Sequence, residues 1–120
     1  MPYGVDDAVW EAARDEIRQI LIACAKRKGN ETIAYSDLVS QVQSLDLQAR
    51  DERLNHLLGE ISRAEAAAGR GMLSVLVVHK HGDMQPGPGF FELAKQLGRK
   101  TQDIEACWIA EFNHVCQAWT

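Results

Sequence analysis

Histidine and cysteine are the side chains here with the widest chemistry open to them, four of the first and three of the second. His79 and His81 stand two apart, so on an extended strand they share one face. Neutral imidazoles so placed can hold a transition metal. His114 or a cysteine would have to complete the set, because a site needs three or four converging ligands. A cysteine acting as a nucleophile needs a neighbouring base and an activating environment. Cys24 and Cys107 fall among apolar neighbours instead, and no spacing ties His81 or His114 to either of them or to Cys116. The serines lack a nucleophile-elbow context, and the acids scatter over helix faces as solubilising charge, so no acid–base pair stands out. No catalytic residue and no cofactor follow from these residue types, and the chain reads as a binding protein rather than an enzyme.

Two other groupings bear on binding. Pro86, Gly87, Pro88 and Gly89 form a turn-rich stretch whose backbone amides could meet an anion. Phe90 and Phe91 stand where a phosphate loop carries lysine and serine or threonine, so the plainer reading is a rigid connection anchored by two rings. Arg50, Arg53, Asn55, His56 and Arg63 are the types that meet base edges and phosphates from a recognition helix. Asp51, Glu52, Glu60 and Glu65 bring that segment close to neutral, and affinity for DNA rests largely on phosphate neutralisation.

The elements that must position these residues follow from periodicity. Between Asp6 and Lys28 the residues Trp10, Ala13, Ile17, Ile20, Leu21 and Cys24 recur at three- and four-residue steps, the mark of an amphipathic helix. Acids crowd its start, and Lys26-Arg27-Lys28 complements the dipole at its end, before Gly29. Thr32 to Tyr35 is a short β-prone segment, with Ser36 as N-cap of a brief helix carrying Leu38, Val39 and Val42. A longer helix is expected from about Leu47 to Ala68, with Leu54, Leu57, Leu58 and Ile61 inward and Gly69 beyond its end. Met72 to His79 reads as a strand covered on both faces, because its Leu and Val run lacks polar alternation. Phe90 to Leu97 is a short helix, and Asp103 opens a last one with Trp108, Phe112, Val115 and Trp119 as an apolar stripe. The fold class is therefore α+β and mostly helical, one domain over residues 1–120, with a winged-helix-like helix–strand–helix–helix–strand core and extra C-terminal helices.

Within that order, Thr32-Ile33-Ala34-Tyr35-Ser36-Asp37-Leu38 resembles the opening of the DNA-binding domain of the alkylguanine alkyltransferases and their alkyltransferase-like relatives, where a threonine-tyrosine strand leads into a helix. The likeness spans roughly Thr32 to Phe90. The family's reactive Pro-Cys-His-Arg segment has no counterpart, since Val77-Val78-His79-Lys80 stands nearest to it, and alkyl transfer is excluded on that alignment. A second likeness covers Leu57 to Trp119. Leu58-Gly59-Glu60-Ile61-Ser62, Gly71-Met72-Leu73-Ser74, Val77-Val78 and Pro86-Gly87-Pro88-Gly89-Phe90-Phe91 resemble a pattern in small bacterial proteins and accessory domains, some beside nucleases. That resemblance implies a bacterial accessory protein in a defence or mobile-element setting, and carries no activity with it.

Composition sets the outer bounds. A chain of 120 residues with 46% hydrophobic and 25% charged residues suffices for one core without disulfide or metal staples. The net charge of −4 favours neither nucleic acid nor an anionic membrane. With no secretory start and no run long enough to span a bilayer, the expected compartment is the cytoplasm and the odd set of cysteines is expected to be reduced. Three readings result. The first is a protein-interaction module, a homodimer or the partner of another protein, whose contact is made by Trp108, Phe112, Val115 or Trp119, since aromatic residues are enriched in interface cores. The second is a winged-helix-like nucleic-acid binder using Arg50, Arg53, Asn55 and Arg63. The third is a metal or small-ligand site at His79, His81 and the loop 86–89.

Overall fold

The computed structural model describes residues 2–79 and 88–119, a mostly helical α+β fold. Helix α1, Asp7–Ala25, buries Trp10, Ala13, Ile17, Leu21 and Cys24, the face its periodicity predicts. It stops sooner than expected. Lys26 is the C-cap, so Arg27 and Lys28 lie past the last turn, exposed, and the last turn itself holds no basic residue.

Strand β1 is Ile33–Ala34, and it leads directly into helix α2, Tyr35–Gln41, whose N-cap is Ala34. Ser36 therefore sits inside the first turn and not at the cap. Leu38 is the buried anchor of this short helix. After it the chain runs irregularly, tied back to α1 by the Glu16 carboxylate, which accepts the N–H groups of Gln43 and Ser44 and the Ser44 hydroxyl at 2.9–3.1 Å. The bond from the Ser44 amide is the main reason the Glu16 carboxyl is held below its ordinary pKa.

Helix α3, Glu52–Ala67, begins five residues later than its apolar content suggests. Asp51 is the reason, because its side chain accepts the Arg53 N–H and so sets the helix start there. Leu47 reaches the core from the irregular segment ahead of that cap. Leu54, Leu57, Leu58 and Ile61 face inward, and α3 ends in a Schellman turn in which Arg70 N–H bonds to Glu65 C=O and Gly69 N–H to Ala66 C=O.

The segment expected as one strand from Met72 to His79 splits in two. Leu73–Leu76 is a 3-10 turn, and only Val77–Val78 forms strand β2, which pairs in parallel with β1 in the register Ile33 to Val77 and Ala34 to Val78. An unbroken apolar run reports burial, which it has throughout, and not backbone shape. Ser74 ties the turn to α3: its N–H donates to the Ser62 hydroxyl at 3.0 Å, and that hydroxyl donates to Ser74 Oγ at 2.6 Å.

Helix α4, Pro88–Gln96, and helix α5, Ile104–Ala118, complete the described chain, the latter capped by Asp103 accepting the Ala106 N–H. Residues from all five helices and from the Leu73–Val77 segment share one apolar core. Two acids belong to that interior and not to the solvated faces. Glu65 is buried at 2% exposure between the Arg18 and Arg70 guanidiniums, each at 2.5 Å. Glu111 accepts the Met72 N–H at 2.8 Å and pairs with Arg99 at 3.0 Å, fastening α5 both to the start of the 3-10 turn and to the segment after α4.

Candidate functional site

Helix α3 turns one face away from the core, and Asn55, His56, Gly59 and Arg63 recur along it at steps of one, three and four residues. This face forms one wall of a cleft of about 770 Å³. Arg50, in the turn before α3, and Tyr35 and Ser36, at the start of α2, close one end. Gly89, Phe90, Glu92, Leu93 and Gln96 of α4 make the facing wall, and an Arg63 to Gln96 hydrogen bond of 2.7 Å joins the two walls. Buried Leu58, Phe90, Leu93 and Ser74 supply a largely apolar floor.

Rings stand at two places around this cleft. The exposed His79 imidazole lies 5.1 Å from the Tyr35 ring, centroid to centroid, because each residue follows directly on one of the paired strands. His56, which also lines the cleft, makes a T-shaped contact with Tyr3 at 5.1 Å, and Tyr3, half exposed, stacks at 6.0 Å on Trp10.

Charge separates the cleft from the rest of the surface. Of the eight arginines in the sequence, five are neutralised in ion pairs: Arg14 by Glu60, Arg18 and Arg70 by Glu65, Arg53 by Asp51 and Arg99 by Glu111. Among the described residues Arg27, Arg50 and Arg63 are in no ion pair, and two of those three line the cleft, where Glu92 is the one acid.

The residues singled out by sequence distribute unevenly. Arg50, Asn55, His56, Arg63, His79 and Gly89 come together in the cleft. Arg53 does not. Its guanidinium clasps Asp51 and the Asp46 carbonyl, and the hydrogen bonds from Arg53 are the chief reason the Asp51 carboxyl is held down at about 2. Pro88 opens α4, while His81, Pro86 and Gly87 lie outside the described residues. His114 is exposed on α5 beside Gly71 and takes no part in the cleft. Among the described residues no three His, Cys, Asp or Glu side chains converge as a metal site would require.

The expected α5 contact stripe is largely used within the chain. Val115 is fully buried, and Trp108, Phe112 and Trp119 are partly buried against the core. The Trp119 ring lies under the Arg18 and Arg70 guanidiniums, at 5.7 and 5.5 Å. Large apolar exposure on α5 falls instead on Ile104 and Ile109.

Burial raises the pKa of the Cys24, Cys107 and Cys116 thiols, and none of them lines the cleft. Tyr35, Gly59 and Gln96 went unnoticed as site residues in the sequence. The helical spacing from Asn55 to Arg63 carries a signal for Gly59, whereas Tyr35 and Gln96 join the site only through tertiary packing. Searches of family models, of curated proteins and of solved structures produced no match to this chain. No helix among the described residues is long and apolar enough to cross a membrane.

Proposed function

We propose that this chain is a non-enzymatic nucleic-acid-binding protein that takes its ligand in the cleft between α2, α3 and α4. The observation that carries the reading is the pairing state of the arginines: two guanidiniums without carboxylate partners face one concavity, beside the Asn55 amide and the rings of Tyr35, His56 and His79. A cleft with two unpaired guanidiniums against the single acid Glu92 favours anionic ligands even on a protein of net negative charge. The value of −4 averages over a surface on which most arginines are already neutralised. The winged-helix-like element order and the alkyltransferase-like Thr32–Leu38 segment support the same reading.

Only two unpaired arginines line the cleft, so phosphate neutralisation contributes little and affinity is micromolar at physiological salt. Fluorescence anisotropy of a labelled oligonucleotide is the test. Arg50→Ala combined with Arg63→Ala is expected to weaken binding at least tenfold with the far-UV circular dichroism unchanged. Binding that survives the double substitution intact would sink the proposal.

One observation favours a second reading, association through α5. Ile104 and Ile109 are 49% and 45% exposed on a helix whose outward positions include Ala106, Ala110 and Ala118. A homodimer mass by light scattering at tens of micromolar supports it, and a monomer mass removes it.

A further inference from the structure

We infer that the nucleic acid taken by the cleft is single-stranded, its bases unstacked against the cleft's rings; this rests on the nucleic-acid reading above. Duplex recognition by a helix needs that helix to project, because the major groove is about 12 Å wide and admits one helix of about 10–12 Å diameter. Helix α3 does not project. Its outward face looks into a cleft whose far wall is α4, and the Arg63 to Gln96 bond closes the gap across it at 2.7 Å. The α3 and α4 pair together exceeds the width of the groove.

The same walls suit a separated strand. The paired rings of Tyr35 and His79 line the cleft, as does His56, whose ring meets that of Tyr3, 47% exposed. Bases stack on such rings with little regard to sequence, since every base has a π-face. Asn55, exposed on α3, can reach a base edge that pairing would occupy in a duplex. Two guanidiniums match the backbone of a short segment, not the charge density of two strands. The floor is largely apolar, as suits unstacked bases, and the volume of about 770 Å³ falls in the range of about 300–1,000 Å³ typical of pockets that enclose ligands.

The experiment compares labelled twelve-nucleotide oligo(dT) and oligo(U) with a mixed-sequence duplex of equal length, by anisotropy between 50 and 200 mM salt, on the full chain. The single strands are expected to bind at least tenfold tighter than the duplex, with a log–log salt slope of about −1.4 for two phosphates. His79→Ala, at an exposed position, is expected to cost about tenfold in single-strand affinity with the far-UV circular dichroism unchanged, and His79→Tyr to restore most of it by returning a ring. Duplex binding as tight as single-strand binding overturns this inference and leaves the nucleic-acid reading standing. Absence of binding by all three probes at 100 μM protein overturns both. Single-strand binding indifferent to His79→Ala overturns the assignment of the rings.

Discussion

Gly71→Ala tests how α5 is seated on the segment that follows α3. Gly71 has φ +86°, and a Cβ built on it would stand 2.6 Å from His114 Cδ2, 3.0 Å from Val115 Cγ2 and 3.3 Å from Glu111 Oε2. The left-handed backbone costs a non-glycine residue about 1–2 kcal/mol. Overpacking adds about 1–3 kcal/mol, because the exposed His114 ring can swing away but fully buried Val115 cannot. The expected loss is therefore about 2–5 kcal/mol, a large part of a total stability on the order of 10 kcal/mol for a chain of this length. In urea, with a slope of roughly 2 kcal/mol/M, the midpoint falls by about 1–2.5 M at unchanged slope. Gly69→Ala is the control: its φ is +80° but a Cβ there meets nothing within 4 Å, so only the backbone cost of about 1–2 kcal/mol remains. Adding His114→Ala to Gly71→Ala should recover part of the difference between the two glycine variants, the share due to the closest contact. If Gly71→Ala costs no more than Gly69→Ala, the close approach of α5 to this backbone is refuted.

Two further outcomes can be checked in solution. Burial pushes the Glu65 carboxyl up, but hydrogen bonds from Arg70 and Arg18 outweigh it and hold the pKa below its ordinary 4.5. A depressed folded value means that Glu65 stabilises fully above about 4.5, and that this contribution disappears as pH falls through the lower folded pKa. Glu65→Gln is therefore expected to lower stability at pH 7 by about 3 kcal/mol and to flatten the decline between pH 5 and 3; pH profiles parallel to the unmodified protein's would contradict the pairing. All three cysteines are free, and burial raises each thiol, so Ellman's reagent at pH 7.5 should react slowly with the native protein, Cys116 first, and with three thiols at once in denaturant. A fast native burst of one equivalent would show a thiol more accessible than the fold places it.

Much of the core was legible because it depends on local spacing. The inward positions from Trp10 to Cys24 and from Leu54 to Ile61 repeat with the helix period and lie where that period puts them. The Met72–His79 run announced burial but not its division into a 3-10 turn and a two-residue strand, because an apolar run without alternation is compatible with either backbone. Arg50, Arg53 and Arg63 looked alike in sequence, and ion pairing separates them: Asp51 takes Arg53, while Arg50 and Arg63 are left facing the cleft. Glu65 and Glu111 read as surface charge because their partners Arg18 and Met72 lie 47 and 39 residues away in the chain. Tyr35 and His79, neighbours across the cleft, meet only through the β1 to β2 ladder, which no local pattern encodes.

That ladder also sets an order of events. Ile33 and Val77 close a loop containing both α2 and α3, with two rungs to hold it, and closing 44 residues of flexible chain costs about 3 kcal/mol in entropy. Helices form within microseconds from neighbours in sequence, whereas these rungs join positions 44 residues apart and form more slowly. Tyr35 and His79 each lie one residue past the last rung, so a local opening of that ladder parts the ring pair of the cleft. A ligand seated against those rings binds only the closed form, and so slows amide exchange at Ile33 to Tyr35 and Val77 to His79 before it protects anything else in the chain.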